Sequence, residues 1–437
     1  MLPDVALLEI FDFYVDGYGA ETEGWHTLVH VCRKWRNVVF GSPRRLKLRL
    51  ACTASTPVRE TIDAWPPLPI LVTSFKHWTW GVDNIIAALE HNDRICEVIF
   101  DDIPSSEMEK LFAAMQQPFP ALENLYLCTE SETDVVPASF LGGSAPQLQK
   151  LWLNSIPFPG LPKLLLSATH LVSLHLSFLP PSGYFSPEAI VTGLSALASL
   201  KRLDIGFEPP RSRPDRKRLS PRLTRTLLPA LTYFRFKGVS EYLDDLVARI
   251  DAPLLGDLDI TFFHQLIFDD TPQLTQFISR TPNFGACDDA RVQFSDWDVQ
   301  VSAIDKALKL KILCKRSDWQ ISSLAQVCDS IFIPAIKHLY IEDLIFTPSS
   351  QDDIETVQWL ELLNRLTAVK DLRMSWAFTP RIAPTLQELV GGRVTEVLPA
   401  LQTLFLEEAL PPGVQKMIDK FVAARELAGH PISVSHW

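Results

Sequence analysis

The sequence predicts an α/β fold. A three-helix N-terminal unit should precede a long repeating array whose parallel strands form a curved sheet with helices on its outer face. Three observations carry this expectation. A six-residue phrase, apolar-x-x-apolar-x-apolar, recurs from Ile95 to Leu406. Helix-start residues and amphipathic runs separate successive copies, and strand alternating with helix is the pattern of a parallel sheet. The first forty or so residues lack the phrase and crowd apolar residues around helical segments instead. The expected organisation is a helical unit over 1–45, a connector with the first strands over 46–94, and the array over 95–437 with a cap from about 410 to 437.

In the opening segment, Pro3 suits the first turn of a helix, and Asp4 and Glu9 favour its positive end. Val5, Leu7, Leu8, Ile10, Phe11, Phe13, Tyr14 and Val15 then fall on both sides of that helix. A helix apolar nearly all round needs two partners, one within its own domain and one outside it. A second helix is expected around Trp25 to Val31 and a third around Lys34 to Phe40, stopped by Gly41 and Pro43.

Leu2-Pro3, Leu8, Ile10-Phe11, Leu28, Val31-Cys32-Arg33, Trp35-Arg36 and Ser42-Pro43 resemble an F-box, the module that docks substrate receptors onto the Skp adaptor of cullin–RING ubiquitin ligases. The Leu-Pro opening and the Val-Cys-Arg-x-Trp-Arg core make the match fairly specific. The linker Asp16 to Gly24 is longer than usual, and the chain begins directly at the Leu-Pro pair. The resemblance implies adaptor contacts at Leu2, Pro3, Leu8, Ile10, Phe11, Val31, Cys32 and Trp35. The plain alternative is a helical hairpin that buries Trp35.

At 437 residues and 47% hydrophobic, the chain is globular, and a net charge of −11 argues against general binding to nucleic acid or anionic membrane. Seven scattered cysteines with no Cys-x-x-Cys read as reduced, intracellular usage. The first residues of the chain do not follow the basic-then-apolar pattern of a signal peptide, so none is expected there. Its longest uncharged stretch, Leu164 to Pro187, carries prolines, histidines and serines that disqualify it as a membrane span. The expected compartment is cytoplasm or nucleus.

Taken in order, Leu46 to Leu50 alternates as a half-buried strand, prolines punctuate a connector, and Ile70 to Ser74 reads as a second strand. The phrase follows at Ile95–Phe100, Leu122–Leu127, Leu148–Leu153, Leu171–Leu176, Leu200–Ile205, Leu231–Phe236, Leu255–Ile260, Ile336–Ile341, Val369–Met374 and Leu401–Leu406. Ala307 to Ile312 is a weaker copy and Asp288 to Phe294 a degenerate one. Clear copies lie about 23 to 33 residues apart except for one long gap, overlapping the leucine-rich-repeat period. Helix starts are read at Ser106 with Glu109, Ser186-Pro187, Ser240, Thr271-Pro272, Ser317, and Asp352 with Glu355.

The array resembles the irregular leucine-rich repeats attached to F-boxes. It lacks their usual Asn or Cys three positions past the phrase, where Ile103, Ile156, Leu179, Val239, Phe263 and Leu344 stand instead. The chain closes with a helical pattern from Val414 to Arg425, a stop at Gly429, and an alternating edge strand from Pro431 to Trp437. The run from Trp319 through Ile382 to the C-terminus is similar to the expanded F-box families of basidiomycete fungi.

In a leucine-rich strand, the residues flanking the central leucine share the solvent face. That places Tyr126, Lys150, Trp152, His175, Arg202, Asp204, Tyr233, Arg235, Tyr340 and Phe405 there as candidates for holding a target protein. Tyr, Trp and Arg are the usual interface anchors, although loops or the next repeat could cover any one of them. Arg211 to Arg225 holds seven basic residues against one acid, which suits either a solvated insertion or a localisation or phosphate-binding loop. His26 and His30 lie four apart but lack a second ligand pair, so a structural role is expected rather than a metal site.

No phosphate loop, dinucleotide fingerprint or nucleophile elbow occurs, and no cofactor is expected. The resemblance therefore implies a non-enzymatic substrate receptor of a Skp–cullin–F-box ligase. Its partners would be the Skp adaptor, cullin through it, and an unknown target. A leucine-rich binding scaffold whose first helices are only a hydrophobic cap is the competing expectation.

Overall fold

The computed structural model describes residues 2–17, 24–41, 48–75, 81–129, 135–209, 225–263, 271–285, 287–314, 320–325, 335–343, 356–376, 378–389, 393–407 and 410–436. The chain divides into two compact units, Met1–Glu208 with Leu228–Ala230, and Pro209–Leu227 with Leu231–Trp437.

The first unit begins with three helices, α1 (Asp4–Gly17), α2 (Gly24–Val31) and α3 (Arg33–Gly41). Leu7, Leu8, Phe11, Leu28, Val29, Val38 and Val39 form their buried core. Lys34 ties the third helix to the chain start, donating from Nζ to the Leu2 carbonyl at 2.7 Å and lying 3.3 Å from the Asp4 carboxylate.

Strand and helix then alternate from Leu48 onward, earlier than the expected start of the array at residue 95. The elements are β1 (Leu48–Ala51), α4 (Val58–Ala64), β2 (Ile70–Ser74), α5 (Val82–Leu89), β3 (Ile95–Phe100), α6 (Ser105–Ala114), β4 (Asn124–Cys128), β5 (Lys150–Asn154), α7 (Leu161–Leu165), β6 (Ser173–Leu179), α8 (Pro187–Leu194) and β7 (Arg202–Phe207). All seven strands are parallel and pair in sequence order.

Every apolar position of the phrase is buried here: Leu122, Leu125 and Leu127, Leu148, Leu151 and Leu153, Leu171, Leu174 and Leu176. At about 1.5–3 kcal/mol for each fully buried leucine, the phrase supplies the main force holding the strands onto the helices. The missing asparagine ladder is replaced in two ways. Ile103, Ile156 and Leu179 are buried and fill the turns with apolar packing. The turn N–H groups are satisfied by the next repeat's backbone, as in Ile103 N to Cys128 O at 2.9 Å and Ser155 N to Ser177 O at 2.9 Å.

The second unit contains β8 (Thr226–Leu227), β9 (Tyr233–Gly238), α9 (Ser240–Val247), β10 (Ile250–Asp251), β11 (Asp257–Phe263), α10 (Pro272–Arg280), β12 (Asp289–Phe294), β13 (Asp298–Ala303), β14 (Ala307–Leu313) and a helical stretch over 320–325. It continues with β15 (His338–Asp343), α11 (Thr356–Arg365), β16 (Asp371–Met374), α12 (Thr379–Gln387), α13 (Arg393–Glu396), β17 (Thr403–Leu406), α14 (Pro412–Leu427) and β18 (Ser433–His436).

Here the wholly parallel expectation is corrected. The long gap between phrases holds an antiparallel meander, β12–β13–β14, inserted in reverse, so that the order runs β9-β11-β14-β13-β12-β15-β16-β17-β18. β14 pairs parallel with β11 and β12 parallel with β15, so only β13 runs against the others. β13 alternates Val299, Val301 and Ala303 inward, a period-2 signal that the phrase search passed over.

The helix starts also differ in part from expectation. Ser186 caps α8, its Oγ accepting from Ala189 N at 3.2 Å. Ser106 and Glu109 form no capping box, because α6 starts one residue earlier with Pro104 at its N-cap. Ser240 is the first residue of α9, not its cap. Thr271 occupies the N-cap of α10 without capping it. The cap comes from the preceding helix, where Asp244 Oδ1 accepts from Gln273 N and Leu274 N at 3.0 and 2.9 Å. The starts at Ser317 and Asp352, and the basic run 211–224, lie outside the described residues; Arg225 lies 4.0 Å from Asp251.

Candidate functional site

Three surfaces carry the chemistry: the outer side of the N-terminal helices and the solvent face of the strands in each unit.

On α1, at about 100° per residue, Leu7, Leu8 and Phe11 fall within one arc, while Val5, Ile10 and Phe13 fall on the opposite one. The structure follows that division. Phe11 is fully buried and Leu8 only 8% exposed, whereas Phe13 is 83% and Ile10 48% exposed. Leu2, Val31 and Phe40 add to the exposed apolar residues of this unit.

Of the adaptor residues expected from sequence, Leu2, Pro3, Ile10, Val31 and Cys32 are therefore accessible. Leu8 and Phe11 are buried instead. They form the floor of the three-helix core, and Phe11 packs against Trp35 with ring centroids 4.8 Å apart. Trp35 is half-buried by that contact.

In the first unit, strand register brings Ile99, Tyr126, Trp152, His175 and Asp204 into one row across five strands. The rings of Tyr126 and Trp152 lie 5.4 Å apart, those of Trp152 and His175 stack at 3.5 Å, and His175 Nδ1 meets Asp204 Oδ2 at 2.8 Å. Burial, with the Cys128 thiol and the Asp101 carboxylate nearby, pushes the Tyr126 phenol up to about 12, so it stays neutral at ordinary pH. Lys150 and Arg202 are exposed in the adjoining row. Asp204 is 8% exposed and lies against His175.

In the second unit, the equivalent row is Arg235, Asp259, Lys309, Ser302, Arg291, Tyr340, Arg373, Phe405 and Ser435. Arg235 lies 3.6 Å from Asp259, and Arg291 lies 3.5 Å from Glu342 in the next row. Arg373 is held between two rings, 4.9 Å from the Tyr340 centroid and 4.5 Å from that of Phe405. Beside it, His338 Nδ1 and Asp371 Oδ2 are 2.6 Å apart, and these four residues other than Phe405, with Asp289 and Leu339, line a cleft of about 280 Å³. Tyr233 is half-buried in the adjoining row, opposite Asp257.

Both units thus carry a His–Asp pair on the strand face. Carboxylate and imidazole alone do not make a nucleophilic site, which needs a hydroxyl or thiol within hydrogen-bond reach of the imidazole. Among the described residues neither histidine has such a partner. Nor do three His, Cys, Asp or Glu side chains gather there as a metal site, and no described helix is long and apolar enough to cross a membrane. His30 is exposed on α2, while the side chain of His26 lies outside the described residues.

Sequence reasoning placed His175, Asp204, Tyr340, Arg373 and Phe405 on the face but missed Lys309 and Arg291 as members of the row, and the pairing of each histidine with its aspartate. The available signal was phrase position. His175 and Asp204 share the fifth position of successive phrases, and His338 and Asp371 share the third. Residues at equal positions in neighbouring parallel strands stand side by side.

No family model matches the chain, and no curated protein matches it. Among solved structures, the chain is similar to the leucine-rich repeat-containing protein LegL7 from Legionella pneumophila. The match has 13% identity, covers 88% of this chain and 98% of that one, and has a TM-score of 0.27, too low for the two to be equated.

Proposed function

We propose that this chain is the substrate-recognition subunit of a Skp–cullin–F-box ubiquitin ligase. In this reading the exposed side of the N-terminal helices docks the Skp adaptor and the strand faces hold a target protein. The observation that supports it is the two-faced α1: one apolar side is consumed by the three-helix core, while Val5, Ile10 and Phe13 opposite it remain in water. Exposed apolar groups gathered on one side of a small unit mark an interaction surface. The chain's role would then be proximity, holding the target where other subunits perform the transfer.

The test is co-expression with a Skp adaptor followed by size-exclusion chromatography, comparing wild type with Ile10→Asp/Val31→Asp. Both residues are exposed, so the variant should keep the wild-type melting temperature and lose co-elution. A folded wild type that elutes apart from the adaptor overturns the proposal. The burial of Leu8 and Phe11 favours a second reading, in which the helices only cap the first unit and the chain is a binding scaffold. That same elution would establish it.

A further inference from the structure

The middle row of the second unit alternates. Reading across the strands, cations stand at every second position: Arg235, Lys309, Arg291 and Arg373. Asp259, Ser302, Tyr340 and Phe405 stand between and after them, so the row carries four cations against one carboxylate in a chain whose net charge is −11. Two of the four, Lys309 and Arg373, have no carboxylate partner among the described residues. The guanidinium of Arg373 is instead held between the Tyr340 and Phe405 rings, which leaves its N–H edges to bind an oxyanion.

Strand spacing of about 4.8 Å puts successive cations about 9.6 Å apart. A polyproline II segment repeats every three residues, about 9.3 Å, whereas same-side residues of a β-strand repeat at about 6.7 Å. Three turns of polyproline II cover about 28 Å, against about 29 Å for the six strand spacings from Arg235 to Arg373.

We propose that this row binds an acidic, polyproline II segment of a protein partner, laid across the strands with a carboxylate at every third residue facing a cation. The inference deepens the target-binding half of the proposed function and does not require the adaptor. A peptide fits better than a nucleic acid, because the ring faces that would stack on bases are occupied by Arg373. Beside the row, His338 and Asp371 are hydrogen-bonded to each other at 2.6 Å.

The experiment is fluorescence anisotropy of the 437-residue chain with a labelled peptide of four Glu-Pro-Pro repeats. The comparison ligands are the same composition with its glutamates clustered, the Lys-Pro-Pro counterpart, and an oligothymidylate. Expected is binding of the Glu-Pro-Pro peptide alone, weakening as salt is raised to about 0.3 M. Lys309→Glu with Arg373→Gln should lose at least about tenfold in affinity, while Arg59→Glu, on a helix of the first unit, should change nothing.

Equal binding of the clustered peptide overturns the spacing argument, and equal binding of the oligonucleotide overturns the assignment to an acidic peptide. Lys309→Glu alone, at an exposed position with no side-chain hydrogen bond or ion pair among the described residues, serves if the double variant melts early. Adaptor co-elution of the wild-type chain separates the two proposals: its presence with no Glu-Pro-Pro peptide bound by the wild type sinks this inference and leaves the docking proposal intact.

Discussion

Three arginines tie helix ends to the repeat that follows them. Arg94, after α5, donates from Nε to Leu68 O at 3.2 Å and from Nη2 to Pro66 O at 2.6 Å. Arg280, closing α10, reaches Val247 O, Ile250 O and the Asp251 carboxylate at 2.6, 2.8 and 2.7 Å. Arg425, in α14, donates to Val394 O, Leu398 O and Leu401 O at 3.0, 3.5 and 3.2 Å. Each side chain reaches back to the carbonyls that end an earlier helix or its following turn, groups left without intrahelical partners. Burial pulls the pKa of all three guanidiniums down, but arginine's basicity keeps them charged. Arg425 is 1% exposed and carries the largest consequence. Arg425→Met keeps much of the volume and takes the guanidinium from Val394 O and Leu401 O, while Leu398 O keeps Leu401 N, so it should cost about 2 kcal/mol in a urea melt. An unchanged midpoint would show that water replaces the side chain there.

At the scale of elements, close approach between neighbouring repeats decides where small residues stand. Gly193 lies inside α8, and a Cβ there would sit 2.8 Å from Pro162 O and 3.1 Å from Leu165 Cβ on α7. Gly193→Ala, favourable for an isolated helix, should therefore destabilise the chain by about 1–3 kcal/mol. A thermal melt at or above the wild-type temperature would mean that α7 and α8 can part without loss. Gly429, which the sequence marks as a helix stop, has φ +82°, the left-handed conformation that ends α14. The reversed meander was less legible. The strand pattern of β13 is present in Val299, Val301 and Ala303, but pairing order is not a local property, and a hairpin can dock against either neighbouring strand. What positions β14 beside β11 is seven-residue parallel pairing, from Asp257 opposite Ala307 to Phe263 opposite Leu313.

Across the whole molecule, burial divides the cysteines more sharply than spacing does. Cys52, Cys96 and Cys314 are buried, while Cys32 is exposed between α2 and α3. The thiolate is the reactive form, and burial pushes the Cys52 thiol up to about 12. Alkylation of the native chain at pH 8, read by peptide mass spectrometry, should thus modify Cys32 before Cys52, Cys96 and Cys314, which stay protected until denaturant is added. Early labelling of Cys52 would mean that β1 and its following turn open far more readily than the core to which they belong.

The sequence by itself determined the strands that carry the phrase, several of the helices between them, the three-helix opening, and the alternation that puts phrase leucines inside. These are consequences of period and of local stop signals, which a few consecutive residues contain. Only the tertiary structure decided that Leu8 and Phe11 face inward while Ile10 and Phe13 face out, since a helix apolar on both sides does not say which side its own domain takes. It also decided the side-by-side partners of the face. Arg373 becomes a guanidinium held between Tyr340 and Phe405 because parallel pairing sets residues some thirty positions apart next to one another. The alternating cations of the second unit depend on strand pairing, which brings Lys309 and Arg291 of the meander into one row with Arg235 and Arg373.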